Sequence, residues 1–221
     1  MPIAMSLIRR LLALPAGARP STAERSARAE RSARAERIVR EQLDLACRTA
    51  RRLGVPASEL DDVAQEVMLV VVRRLDAIHP DKERAFVAAT SVRVTANWRR
   101  QRRRRHEQPS DELDSLELDE AALLSRPPGD SAEHCLERAR KLQFLQAALD
   151  SMTEPQRVAF ILFELEELTA REIAQQLHLP VAAVVSRARR AREVFTSFCQ
   201  EHAEQSDVAV PPERVVEASY G

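Results

Sequence analysis

The clearest apolar pattern in this chain runs Leu60, Val63, Ala64, Val67, Val71, Leu75 and Ile78, a three-and-four recurrence that predicts the buried stripe of a helix. Asp62, Gln65, Glu66 and Leu69 recur with the same spacing on the other side, so an acidic patch with one leucine faces outward. Ser58 stands where it can cap this helix. An earlier helix reaches about Leu53 and stops at Gly54-Val55-Pro56, a stop signal followed by a breaker. After His79-Pro80, a third helix holds Phe86, Ala89, Val92, Thr95 and Ala96 on its apolar side. These three helices account for residues 38–105.

A second group of helices fits residues 134–202. Over residues 134–151, Leu136, Ala139, Leu142, Leu145, Ala148 and Leu149 line one side. Thr153-Glu154-Pro155 starts the next helix, with Thr153 as cap and proline tolerated in the first turn. Thr169 to Glu172 has the spacing of a capping box, opening a short helix with Ile173, Ala174 and Leu177 inward. A turn at His178-Leu179-Pro180 leads to a long helix from Val181 to about Glu201. Two helices joined by a three-residue turn, the second bearing Ser186, Arg187, Arg189, Arg190 and Arg192, read as a helix-turn-helix. Such a second helix fits the major groove, where Arg and Ser reach base edges and phosphates. A plain helical hairpin with a charged outer face is the alternative.

Composition agrees with an all-α fold of two small domains. Only 4 of the 221 residues are glycine and aromatics make up 4%, while Ala, Arg, Leu and Glu abound. Cys47, Cys135 and Cys199 lie far apart without a CxxC, which signals neither a disulfide framework nor a zinc knuckle. The apolar stretch from Ile3 to Leu14 is split by Arg9 and Arg10, so neither a signal peptide nor membrane insertion is expected, and a cytoplasmic location is. Asp61, Asp62 and Glu66 lack a histidine or further acidic ligand positioned to make a metal or catalytic site, and acids in a first turn complement the helix dipole.

The formal net charge is zero, which by itself argues against a simple polycation, yet the charges are segregated. Residues 1–40 sum to +6, residues 81–105 to +7, residues 106–135 to −8 and residues 201–221 to −4. Residues 106–133, with Pro109, Pro127, Pro128 and Gly129 among acids, read as a linker, and residues 203–221 as an acidic tail. Residues 1–37 form a charged extension that runs twice through ERSARA; its Glu-Arg pairs four apart predict a solvated helical spacer or a phosphate-binding arm. The third helix ends with Asn97 and Trp98 followed by Arg99, Arg100, Arg102, Arg103, Arg104 and Arg105. Six arginines beside the one Trp suit phosphates and unpaired bases. They equally suit the acidic linker nearby, and the two readings are compatible.

Three stretches together resemble the extracytoplasmic-function (ECF) sigma factors of the sigma-70 superfamily: RRLGVPASELDDVAQEVMLVVVRRLD (51–76), VRVTANWRRQRRR (92–104) and ALDSMTEPQRVAFILFELEELTAREIAQQLHLPVAAVVSRARRAR (148–192). The resemblance implies binding to core RNA polymerase, promoter recognition and help in melting the −10 element, with no catalytic residue and no cofactor of the chain's own. It implies that Asp62, Gln65, Glu66 and Leu69 dock on the polymerase, and that the His79–Glu83 loop captures a flipped −10 base. It implies that Arg93, Asn97, Trp98, Arg99, Arg100, Arg102 and Arg103 meet the nontemplate strand, and that Arg171, Ser186, Arg187, Arg189 and Arg190 read the −35 element. An anti-sigma factor is a further partner it allows, although no residue identifies one.

This chain departs from the family pattern in the reader. His178 stands where glycine is usual, which calls for a left-handed non-glycine residue, and Ala183 and Val185 replace a hydroxyl and a basic side chain. Two other functions compete: a helix-turn-helix regulator that forms no holoenzyme, and a sigma-like interaction decoy. The first leaves the DDVAQEV face and the Trp-Arg helix without a role.

Overall fold

The computed structural model describes residues 21–106 and 132–202, which fold into helices connected by short turns. The first, α1 (Thr22–Arg52), joins the ERSARA extension and the expected first helix into one rod. Ser21 caps it reciprocally with Glu24: the Ser21 amide donates to Glu24 Oε2 at 2.6 Å, and the Glu24 amide donates to Ser21 Oγ at 3.2 Å. Its exposed charges give way to buried Ala35, Ile38, Val39, Leu45 and Ala46 as the rod reaches the core. Leu53 ends it, and Gly54 takes φ +88°, a left-handed turn that glycine enters without strain.

Helix α2 (Ala57–Arg73) buries Leu60, Val63, Ala64, Val67 and Val71 of the predicted stripe, together with Met68 and Val72, and ends before Leu75 and Ile78, which are buried in the turn that follows. Its cap differs from expectation. Pro56 takes the N-cap place in extended conformation, so Ser58 falls inside the first turn and stays exposed. Short 3-10 turns at Leu75–Ala77 and Pro80–Lys82 lead into α3 (Glu83–His106). Here the predicted single apolar side is too narrow: Ala85, Val87, Ala88, Thr90, Ser91 and Val94 are buried as well as Ala89 and Thr95, while Phe86, Val92 and Ala96 are half-buried. The cause is packing on several sides at once, against α1, α2 and a helix of the second lobe. Small residues are what such a crowded rod can accommodate.

In the second lobe, Ala148 and Leu149 at the end of α4 (Ala132–Asp150) are the buried ones among its described side chains, while Leu136 and Leu142 are about half exposed. The expected full apolar side therefore holds only near the C-terminus, where α7 packs against it. Helix α5 (Glu154–Phe160) starts with the Thr153 amide donating to Gln156 Oε1 at 2.9 Å and continues as a π-turn, Ile161–Leu165. Helices α6 (Ala170–Leu177) and α7 (Val181–Glu201) form the helix-turn-helix. The capping box of α6 is formed by Thr169 and Glu172, and His178 does adopt the left-handed conformation, φ 55°.

The two lobes share a core. Leu162, Phe163, Leu168, Ile173, Ala174, Val184 and Ala188 of the second lobe join the apolar cluster of the first. In return, Leu53 packs with Leu149, Phe160 and Phe195. No helix among the described residues is long and apolar enough to cross a membrane, and no cluster of His, Cys, Asp and Glu there suits a metal. The linker and tail assigned to residues 106–133 and 203–221 lie outside the described residues, apart from the backbone of His106 and of Ala132 and Glu133.

Candidate polymerase and nucleic-acid interfaces

The outer face of α2 forms because its apolar stripe turns the opposite side to solvent. Asp62 and Glu66 are exposed there, with Gln65 and Leu69 half-exposed between them, so all four expected docking residues lie on one side of one helix. One half-exposed leucine beside two exposed carboxylates suits a basic partner surface with an apolar contact. Glu66 also reaches the rim of a cleft of about 590 Å3 between α2, α3 and α6. Arg93 and Asn97 of α3 line it from the second side, and Gln176 and His178 from the third.

The arginine-rich end of α3 is more tied down than its composition suggests. The Trp98 indole N–H donates to Glu59 of α2, and Arg102 donates to the same carboxylate at 2.9 Å while its guanidinium lies 5.4 Å from the centre of the Trp98 ring. Arg100 donates to Asn97 Oδ1 at 2.7 Å. Arg99 pairs with Glu154 at 3.4 Å and Arg93 donates to the Gln176 carbonyl, both across the lobe junction. Burial lowers the pKa of Arg93 and Arg99 from the ordinary value, and neighbouring arginines add to this. Arg103 is exposed. His79, at the head of the Pro80–Lys82 turn, is also exposed and accepts from the Asp81 amide at 3.4 Å.

On the reader, Val184, Ala188, Ala191 and Phe195 turn into the core and leave Ser186, Arg189 and Arg190 exposed, with Arg187 half-exposed. Arg171 of α6 is exposed nearby in sequence. Arg189 pairs with Glu193 at 3.2 Å along the same helix, a solvated i,i+4 contact. The N-terminus of α7 carries no acidic residue in its first turn, which leaves its dipole unopposed toward an anion.

Two groups escaped sequence reasoning. Glu59 was part of the helix start, with nothing local to show that it anchors Trp98 and Arg102 some forty residues away. Glu166 follows the π-turn, is 1% exposed, and accepts from three arginines of the first lobe: Arg48 at 3.0 Å, Arg52 at 2.5 Å and Arg84 at 3.4 Å. Arg84 also donates to the Glu166 carbonyl at 2.9 Å. Bonding to Glu166 raises the pKa of Arg48, whereas burial pulls that of Arg52 down. The left-handed Glu167, φ 55°, turns the chain at this point, and the Leu168 amide closes the turn on the Leu162 carbonyl at 3.0 Å.

Comparison with known proteins agrees with this layout. The sigma-70 region 2 pattern matches residues 38–105, and the sigma-70 region 4 pattern matches residues 143–194. The ECF RNA polymerase sigma-E factor of Escherichia coli (strain K12) is 29% identical over 170 residues, spanning 74% of this chain and 84% of that protein. The ECF RNA polymerase sigma factor SigE of Mycolicibacterium smegmatis is 25% identical over 169 residues, 76% of this chain and 63% of that one. Among solved structures, the sigma factor RpoE of Bartonella quintana, bound to the anti-sigma factor NepR, matches with a TM-score of 0.58 at 16% identity, covering 75% of this chain and 96% of that one. CnrH, bound to the cytosolic domain of CnrY, matches with a TM-score of 0.53 at 21% identity, covering 78% and 90%. Both likenesses are of fold. With region 2 and region 4 both matched, in order and on the lobes described, the chain belongs to the ECF sigma factors of the sigma-70 family, which are not enzymes but direct RNA polymerase to promoters.

Proposed function

We propose that each surface has one task within that family function. Asp62, Gln65, Glu66 and Leu69 dock on core RNA polymerase. The His79–Glu83 loop takes an extruded base of the −10 element, and Arg93, Asn97, Trp98, Arg99, Arg100, Arg102 and Arg103 line the path of the nontemplate strand. Arg171, Ser186, Arg187, Arg189 and Arg190 read the −35 duplex. Extruding a base costs a few kcal/mol, which stacking and phosphate contacts must offset. The phosphodiester chemistry is the polymerase's, and the protein works in the cytoplasm with it.

The observation that carries this reading is the reader helix: a serine and three arginines stand together on the outer side of α7, opposite a fully packed inner side. A helix so mounted presents side chains to base edges with its own backbone held rigid. The relatives solved with NepR and CnrY support a further partner here, a repressing protein that covers these surfaces.

The test combines two measurements on the full chain. Core polymerase should retain the native protein in a pull-down and lose it with Asp62→Arg/Gln65→Ala, and the native holoenzyme should initiate at discrete sites on genomic fragments. Retention of the double variant would sink the docking assignment, and promoter binding without core polymerase would favour a stand-alone regulator.

A further inference from the structure

The ERSARA repeat sets an arginine at every third position from Arg25 to Arg40, and a solvated spacer would leave all of them in water. Three successive ones instead grip the segment between α2 and α3. Arg31 Nε donates to both carboxylate oxygens of Asp76 at 3.0 Å, and its Nη2 donates to the Val72 carbonyl at 3.2 Å. Arg34 Nε donates to Glu83 Oε1 at 2.9 Å, and its Nη2 to the Ile78 carbonyl at 2.5 Å. Arg37 Nη2 donates to Glu83 Oε2 at 2.9 Å.

The acceptors define what the grip does. Val72 lies in the last turn of α2, where several carbonyls share the one cap amide of Arg74, and Ile78 immediately precedes His79. Glu83 is the first residue of α3, its side chain 7% exposed. The guanidinia therefore fix both ends of the turn at His79–Lys82, by main-chain carbonyls as well as carboxylates. A side chain that bonds a carboxylate and a carbonyl at once sets position as well as charge; Arg does this from separate nitrogens held in a planar fork, whereas Lys has only one rotatable nitrogen to offer. Bonding to Glu83 raises the pKa of Arg37, in keeping with a firmly held pair.

We propose that Arg31, Arg34 and Arg37 of the repeat are positioning residues for −10 recognition: they hold the His79–Glu83 loop in the shape that accepts the extruded base. This rests on the assignment of that loop to base capture. The repeat then belongs to the promoter-reading machinery without touching DNA, and a change in its register alters specificity at one nucleotide.

The test uses holoenzyme assembled from the full chain and core polymerase, and a pool of forked promoter duplexes with randomised unpaired nontemplate −10 nucleotides. Bound sequences are read for the native protein, Arg34→Lys, and Arg31→Ala/Arg34→Lys. Preference at one nucleotide should fall roughly tenfold, the scale of a lost base contact. Preference at the other positions, core affinity and the melting midpoint should hold. A Leu45→Ala control, which opens a cavity under the same helix two turns beyond Arg37, should lower the midpoint and leave the preference intact. Unchanged preference in both arginine variants overturns the proposal, and so does a uniform loss at all positions that follows the midpoint. His79→Ala/Asp81→Ala tests the loop itself: if that pair alters no single position, the capture assignment fails rather than the arginine grip.

Discussion

Helices α3 and α7 are both rich in arginine, but their guanidinia meet different surroundings. On α3, Arg93, Arg99 and Arg102 already have protein acceptors: a carbonyl of α6, Glu154 and Glu59. On α7, Arg192 is paired with Glu164 at 2.5 Å, but the reader arginines differ: Arg189 and Arg190 stand in solvent and Arg187 is half-exposed, with an i,i+4 contact from Arg189 to Glu193. A guanidinium with a protein partner must exchange one hydrogen bond for another when it meets a phosphate, so its net gain is small. A solvated one displaces only water and counterions. Arginine density in the sequence therefore overstates the nucleic-acid affinity of α3 relative to α7, and Arg187, Arg189 and Arg190 should each contribute more to DNA binding than the paired arginines of α3.

The comparison is sharpest at its extreme, the site where arginines serve the fold alone. Glu166→Ala removes the one buried carboxylate that Arg48, Arg52 and Arg84 share, leaving three cations at the lobe junction without it. The expected loss is about 3 kcal/mol of unfolding free energy, the low end for breaking a buried pair from one side, because Arg48 and Arg84 are 38% and 48% exposed and can turn to water. The solvated counterpart, Glu193→Ala, should cost about 0.5 kcal/mol or less. Urea unfolding of both variants measures this, and comparable losses would show that the junction is no more buried in solution than the surface of α7.

Next in size is the reader. Arg187→Ala and Arg190→Ala should each weaken binding of holoenzyme to −35 duplex by about 1–3 kcal/mol if they meet base edges, with stability nearly unchanged. If they meet phosphates, the slope of log affinity against log salt should fall by about one per variant. Arg99→Ala should do the reverse, costing more in unfolding midpoint than in duplex affinity. A larger affinity loss for Arg99→Ala than for Arg190→Ala would break the comparison.

What the sequence made legible, and what it hid, follow the same division. Periodicity located the α2 stripe, because helical spacing is a local property, and capping chemistry located Thr153, Thr169 and the start of α6 for the same reason. The left-handed His178 was implied by the family resemblance, in which glycine usually stands at that turn position. Local rules erred where neighbours distant in sequence decide. Ser58, which loses the cap to Pro56 two residues earlier, is the one local miss; α3 is buried on more sides than one stripe allows, and Leu136 and Leu142 stay exposed because nothing among the described residues covers them. Arg31, Arg34 and Arg37 look like a solvated repeat until Asp76, Ile78 and Glu83, more than forty residues on, come to meet them. Glu166 is the strongest case: its three partners lie 82 to 118 residues away, and its own neighbourhood, Glu164 to Glu167, resembles an ordinary acidic helix end.

The smallest expected effect lies at the rim of the junction and concerns pH. Glu172 pairs with Lys82 of the first lobe at 3.3 Å and accepts from the Thr169 amide at 3.1 Å and hydroxyl at 2.8 Å. Burial pushes its pKa up, but the Thr169 bonds and Lys82 outweigh that and hold the carboxyl below the ordinary 4.5. A depressed folded value means the contribution is complete above the unfolded pKa and is lost as pH falls through the lower, folded one. Because its side chain is 22% exposed and Lys82 is 42% exposed, solvent screening limits the effect to a few tenths of a kcal/mol. The stability difference between the native protein and Glu172→Gln should be constant near neutrality and shrink below about pH 4.5. Denaturant melts along a pH series measure it. A difference that stays flat into acid would place Glu172 in solvent with the arginines of α7, and Lys82 would then contribute nothing to joining the lobes.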